Sequence, residues 1–89
     1  MIIRSGDSYV NTDTIIKYES VEEKGYGVIK IWTVSFGLNL AWFETLEEAK
    51  RILKDIVIGL YNDRKYYFIE SNLLINEPNP NELCEDLIN

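Results

Sequence analysis

Residues 28–36, Val-Ile-Lys-Ile-Trp-Thr-Val-Ser-Phe, constrain this chain more than any other stretch. β-branched and aromatic residues fill it, which is strand composition. In an alternating strand Val28, Trp32, Val34 and Phe36 share one face, with Lys30 as the exception, and Ile29, Ile31, Thr33 and Ser35 share the other. Both faces are largely apolar, so this reads as a central strand with at least part of each face covered. A chain of 89 residues must supply that cover from one small core.

The cover is legible downstream. Thr45-Leu46-Glu47-Glu48 has the form of a capping box, in which Thr45 accepts from a first-turn N–H and Glu48 reaches back. Leu46, Ala49, Leu53, Ile56, Val57 and Leu60 then recur at helical spacing, and Ile52 and Ile58 widen the stripe. Asn62-Asp63 closes the segment. The spacing predicts one amphipathic helix over 45–61, packed across a sheet.

Upstream, Ile2-Ile3-Arg4, Tyr9-Val10 and 15–19 read as strands, separated by turns at Ser5–Ser8 and Asn11–Asp13. Gly25 and Gly27 mark a hairpin loop within 21–27. Leu38 to Phe43 is the next antiparallel strand. Beyond the helix, Arg64 to Ile69 is a strand and Leu73-Leu74-Ile75 a candidate for another. Asn79-Pro80 looks like a helix start, opening a short helix over 81–88.

The expected fold is α+β: an antiparallel sheet of four to six strands, a β-meander, with one amphipathic helix packed across a face and a short C-terminal helix. Residues 1–89 form a single domain. Within it, 1–44 are antiparallel strands, 45–61 the main helix, 64–76 a further strand or strands, and 79–89 a short acidic helix or tail.

Several chemistries are excluded. There is no histidine, which removes the commonest general base and the usual zinc ligand. Cys84 is the only cysteine, so no intrachain disulfide forms, and it reads as an inert residue on the small helix. No glycine-rich phosphate cradle occurs. Glu22-Glu23, Glu47-Glu48 and Glu85-Asp86 pair carboxylates, but each pair sits in a polar, solvated context where no carboxyl is driven up toward acid catalysis. No catalytic, cofactor or metal site is expected. Trp32 and Trp42 read as core beneath the helix.

Charge is uneven. Residues 1–69 hold ten acids against all nine bases, whereas 70–89 hold five acids and no base, within a net charge of −6. Cationic residues near aromatics, Arg64-Lys65 before Tyr66-Tyr67-Phe68 with Lys50, Arg51 and Lys54 on the helix, are the material for holding nucleic acid. An acidic chain disfavours that partner. The competing reading makes Tyr66 and Phe68 core and Arg64-Lys65 an exposed strand start. No apolar run is long enough for a leader or a membrane span, and the single thiol suits a reducing compartment, so the expected address is the cytoplasm.

Six tyrosines point toward interfaces, where an apolar ring with a wet end is favoured. The functional expectation is a non-enzymatic small interaction or regulatory protein, of the kind that phages and other mobile elements encode. Its expected partner is a protein, with a basic surface to suit the acidic end, and the chain is also expected to self-associate as a homodimer. The alternative is nucleic-acid binding through Arg64, Lys65 and the helix bases. The candidate interaction surface is Tyr61, Arg64, Lys65, Tyr67, Glu82, Glu85 and Asp86.

Overall fold

The structure is a computed structural model, and it describes residues 1–78. Chain order is β1 (Ile2–Ser5), β2 (Ser8–Asn11), β3 (Lys17–Glu23), β4 (Tyr26–Trp32), β5 (Gly37–Phe43), α1 (Leu46–Tyr61) and β6 (Tyr66–Phe68). The fold is α+β with one helix packed on a sheet, as the sequence implies. The sheet itself needs correction. The strands divide into an antiparallel sheet, β3-β4-β5, and a mixed sheet, β2-β1-β6, so no sheet of the described residues exceeds three strands.

One local turn and one long-range pairing produce the division. A 3-10 turn at Thr12–Thr14 follows β2; Asn11 Oδ1 accepts from the Asp13 N–H at 3.0 Å and the Thr14 hydroxyl donates to the Asn11 carbonyl at 2.9 Å. This redirects the chain before β3 begins. The passage through β3, β4, β5 and α1 then returns it beside β1 in the same direction, and β6 pairs with β1 in parallel. A parallel partner needs such a long crossover.

β4 is shorter than its composition implies. It stops at Trp32 because Thr33 closes a turn: its hydroxyl oxygen accepts from the Ser35 and Phe36 N–H groups at 3.3 and 3.2 Å. Side-chain capping of this kind competes with strand pairing. Val34 and Phe36 are therefore exposed turn residues rather than strand-face residues. The hairpin between β3 and β4 lies within the expected loop, turning on Lys24 and Gly25, both at positive φ.

The Thr45 half of the expected capping box forms, with its Oγ1 accepting from the Glu48 N–H at 3.2 Å, while the Glu48 carboxylate accepts from Arg51 instead of reaching back. Ala49, Ile52 and Ile56 bury against Ile29, Ile31, Ala41 and Phe43. A register shift between Ile29 and Lys30 leaves Leu40 as the extra residue of β5. Such a bulge re-aims its side chains, and Leu40 and Ala41 both reach the core. Ile3, Tyr67 and Ile69 of the mixed-sheet side complete it.

The tryptophans are not beneath the helix. Register places Trp32 and Trp42 with Val28 on the opposite face of β3-β4-β5. Trp42 is buried there, whereas Trp32 is half-buried, lying against Gly37 with Lys17 Nζ 4.7 Å from its ring centre. The strand expected at 73–75 is instead a 3-10 turn, Ser71–Leu73, followed by a single bridge between Ile75 and Trp42. The expected helix over 81–88, with Cys84, lies outside the described residues.

Candidate binding surface

Alternation along the three short strands of the mixed sheet builds two different faces. Ile3, Val10 and Tyr67 share one row facing the core. On the outer face, register sets Asn11, Ile2 and Tyr66 in one row and Tyr9, Arg4 and Phe68 in the next. Tyr9, Tyr66 and Phe68 are 64, 57 and 58 % exposed. The Tyr66 and Phe68 ring centres lie 6.0 Å apart, tilted by 46°. Arg4 stands between Tyr9 and Phe68, and its Nε donates to the Gly6 carbonyl at 3.1 Å. That bond ties the guanidinium to the β1–β2 turn, so less side-chain freedom remains to be lost on binding.

Beside β6, facing α1, an open groove of about 450 Å³ runs along the sheet's edge. Arg51 and Asp55 line it from α1, and Arg64, Tyr67 and Glu70 from the segment around β6. The Arg64 backbone N–H donates to the Gly59 carbonyl at 2.9 Å, and its guanidinium carbon lies 5.4 Å from the Tyr67 ring centre. Burial pushes the Tyr67 phenol above its ordinary pKa; the nearby Asp55 carboxylate adds to this, and Arg51 and Arg64 oppose it. At neutral pH that phenol is a fixed hydrogen-bond donor.

Of the expected surface residues, the structure brings Arg64 and Tyr67 together but buries Tyr67, which is 8 % exposed. Parity along β6 is thus the reverse of the core reading: Tyr66 and Phe68 face out and Tyr67 faces in. Tyr61 is exposed at the end of α1, outside the groove lining. Lys65 is exposed, and its carbonyl accepts the Ile2 N–H at 2.9 Å. Glu82, Glu85 and Asp86 lie outside the described residues. Sequence reasoning missed Arg4, Tyr9, Tyr66 and Phe68 as one surface. Their alternation was visible, but the register that joins three separated segments was not.

The described carboxylate pairs are dispersed. Glu23 meets Lys30 at 2.8 Å and Glu48 meets Arg51 at 3.4 Å. Among the described residues there is no cluster of three or more metal-ligating side chains, and no helix long and apolar enough to cross a membrane. No family model matches this chain, and no curated protein or solved structure matches it significantly.

Proposed function

We propose that this chain is a non-enzymatic interaction protein that engages a protein partner through the outer face of its mixed sheet. The observation that carries this reading is the arrangement of Tyr9, Tyr66 and Phe68 around the tethered Arg4. Tyrosine and arginine dominate interface hot spots because they offer a large contact area and directed hydrogen bonds. Ile2 adds aliphatic surface between the rings. A partner at the cytoplasmic address, with a basic surface for the acidic residues beyond Glu70, belongs to the same proposal.

Single-stranded nucleic acid is the weaker reading. It needs cations along a backbone track. Only Arg4 stands among the outward rings, whereas Arg64 lies in the groove against Tyr67.

The test is affinity capture from the source cells, comparing the wild type with Arg4→Glu/Tyr9→Ser at equal, circular-dichroism-verified folding. Loss of a hot spot costs about 2 kcal/mol, roughly 30-fold in affinity. A protein retained by the wild type and lost by the variant supports the reading. Equal retention by both, or retention of single-stranded DNA instead, overturns it.

A further inference from the structure

We infer that a second copy of this chain pairs along the free edge of β6, joining two mixed sheets across a two-fold axis. The argument begins with the hydrogen bonds of β6 to β1. The Ile2 N–H donates to the Lys65 carbonyl at 2.9 Å, and the Ile69 N–H donates to the Arg4 carbonyl at 3.0 Å. In a parallel ladder the groups facing one neighbour come from alternate residues. Residues 65, 67 and 69 therefore face β1, and the N–H and C=O groups of Tyr66 and Phe68 face away from it. β6 is the last strand of its sheet, and among the described residues no backbone group meets Tyr66 or Phe68 from that side.

Natural edges are blunted by shortness, charge, proline or a bulge. β6 is short, at three residues, but Tyr66-Tyr67-Phe68 carries no charge, proline or bulge. The edge is also self-complementary. An antiparallel pairing centred on Tyr67 sets Tyr66 of one copy opposite Phe68 of the other, twice over. Each of these hydrogen-bonded pairs joins two aromatic residues, a favourable cross-strand combination. The groove beside the edge carries two bases, Arg51 and Arg64, and two acids, Asp55 and Glu70. Arg51 is paired with Glu48 within its own copy, and a two-fold axis can set Arg64 of one copy near the acids of the other. An unrelated strand would have to match this pattern independently. So short a pairing buries less than a standard interface, roughly 1,600 Å² in total, and the dimer is weak.

The experiment combines sedimentation equilibrium, from low micromolar to millimolar chain, with residue-resolved amide exchange. The expected result is a mass rising from one chain to two, with Tyr66 and Phe68 amides gaining protection in step and Tyr67 protected throughout. Phe68→Pro removes one edge donor per copy and weakens the dimer roughly 30-fold. Tyr66→Lys/Phe68→Lys sets like charges opposite each other and also abolishes it, should the proline variant not fold. A single-chain mass at millimolar concentration overturns the inference. So does protection of Tyr66 and Phe68 at a dilution where the mass is one chain, which would place residues 79–89 of the same copy on the edge. Tyr66 and Phe68 serve both readings, so Arg4 and Tyr9, which lie off this edge, separate them: Arg4→Glu/Tyr9→Ser is expected to lose the partner yet keep the dimer.

Discussion

The Ser5 hydroxyl donates to the Leu40 carbonyl at 2.8 Å, and this bond ties the mixed sheet to the antiparallel one. Leu40 is the extra residue of the β5 bulge, so its carbonyl lies outside the regular ladder. The bulge thus aims Leu40 into the core and also supplies the acceptor that anchors β1. Ser5→Ala leaves that acceptor part-buried and unpaired, and is expected to cost about 1–2 kcal/mol. Urea unfolding followed by fluorescence measures it. An unchanged midpoint would mean that the sheets are held by the apolar core alone.

Gly27 and Gly25 serve different purposes. Gly25 sits at φ +83 with open space around it. Gly27 has no positive φ, but a β-carbon there would clash with the Thr45 carbonyl oxygen and lie 2.8 Å from Leu46 Cα. These are backbone atoms at the start of α1 and cannot swing aside. Gly27→Ala is expected to destabilise by about 2–3 kcal/mol, at the upper end for overpacking. Gly25→Ala pays backbone strain of only about 1 kcal/mol. Comparing the two urea midpoints checks the order, and a larger loss at Gly25 would contradict it.

Tyr18 presents the opposite case, a polar atom without a purpose in the core. Among the described residues its buried hydroxyl oxygen has no hydrogen-bond partner. Tyr18→Phe removes that desolvated group and keeps the ring against the core. It is expected to stabilise by about 1 kcal/mol, raising the urea midpoint without changing the slope. Destabilisation of similar size would point to an ordered water at the hydroxyl.

Tyr67 and Tyr18 set the alkaline limit. Burial is the first cause of the raised pKa in both; Asp55 reinforces it at Tyr67 and Asp13 at Tyr18. In the unfolded chain each ionises near the ordinary value of 10.0. The folded state holds its proton longer, so the unfolded state is favoured as protons leave. This contribution to stability is fully present below the unfolded value and is lost as pH rises through the folded one. Stability should therefore fall above that value, with tyrosinate absorbance from these two residues appearing late. Tyr67→Phe, which has no phenol to ionise, should decline less on alkalinisation than the wild type. An equal decline in wild type and variant would contradict the assignment.

Much of the fold was legible before any coordinates. The α1 stripe, the Thr45 cap and the turn at Gly25 follow from spacing and local chemistry, which act over a few residues. β4 was legible as a strand but not in its length, because the Thr33 hydroxyl competes with the ladder while matching strand composition. The split into two sheets was hidden for a different reason. It depends on β6 returning to β1 across more than sixty residues, and parallel pairing leaves no turn signature. The same pairing hid the proposed binding surface. Arg4, Tyr9 and Phe68 come from three segments, and only their register makes them a row. Parity along Tyr66-Tyr67-Phe68 was undecidable locally, since all three are aromatic. The Tyr67 ring is drawn inward by its place in the core beside Asp55 and Arg64.

The central claim is that the rings around Arg4 are the partner-binding face. Nitration of the tyrosines with tetranitromethane, read by peptide mass spectrometry with and without the captured partner, tests it most directly. The account predicts that Tyr9 and Tyr66 lose reactivity when the partner binds, while Tyr26, at the far end of the β3–β4 hairpin, keeps its own. Protection of Tyr26 with Tyr9 and Tyr66 still reactive would place the partner on the other sheet and contradict the account.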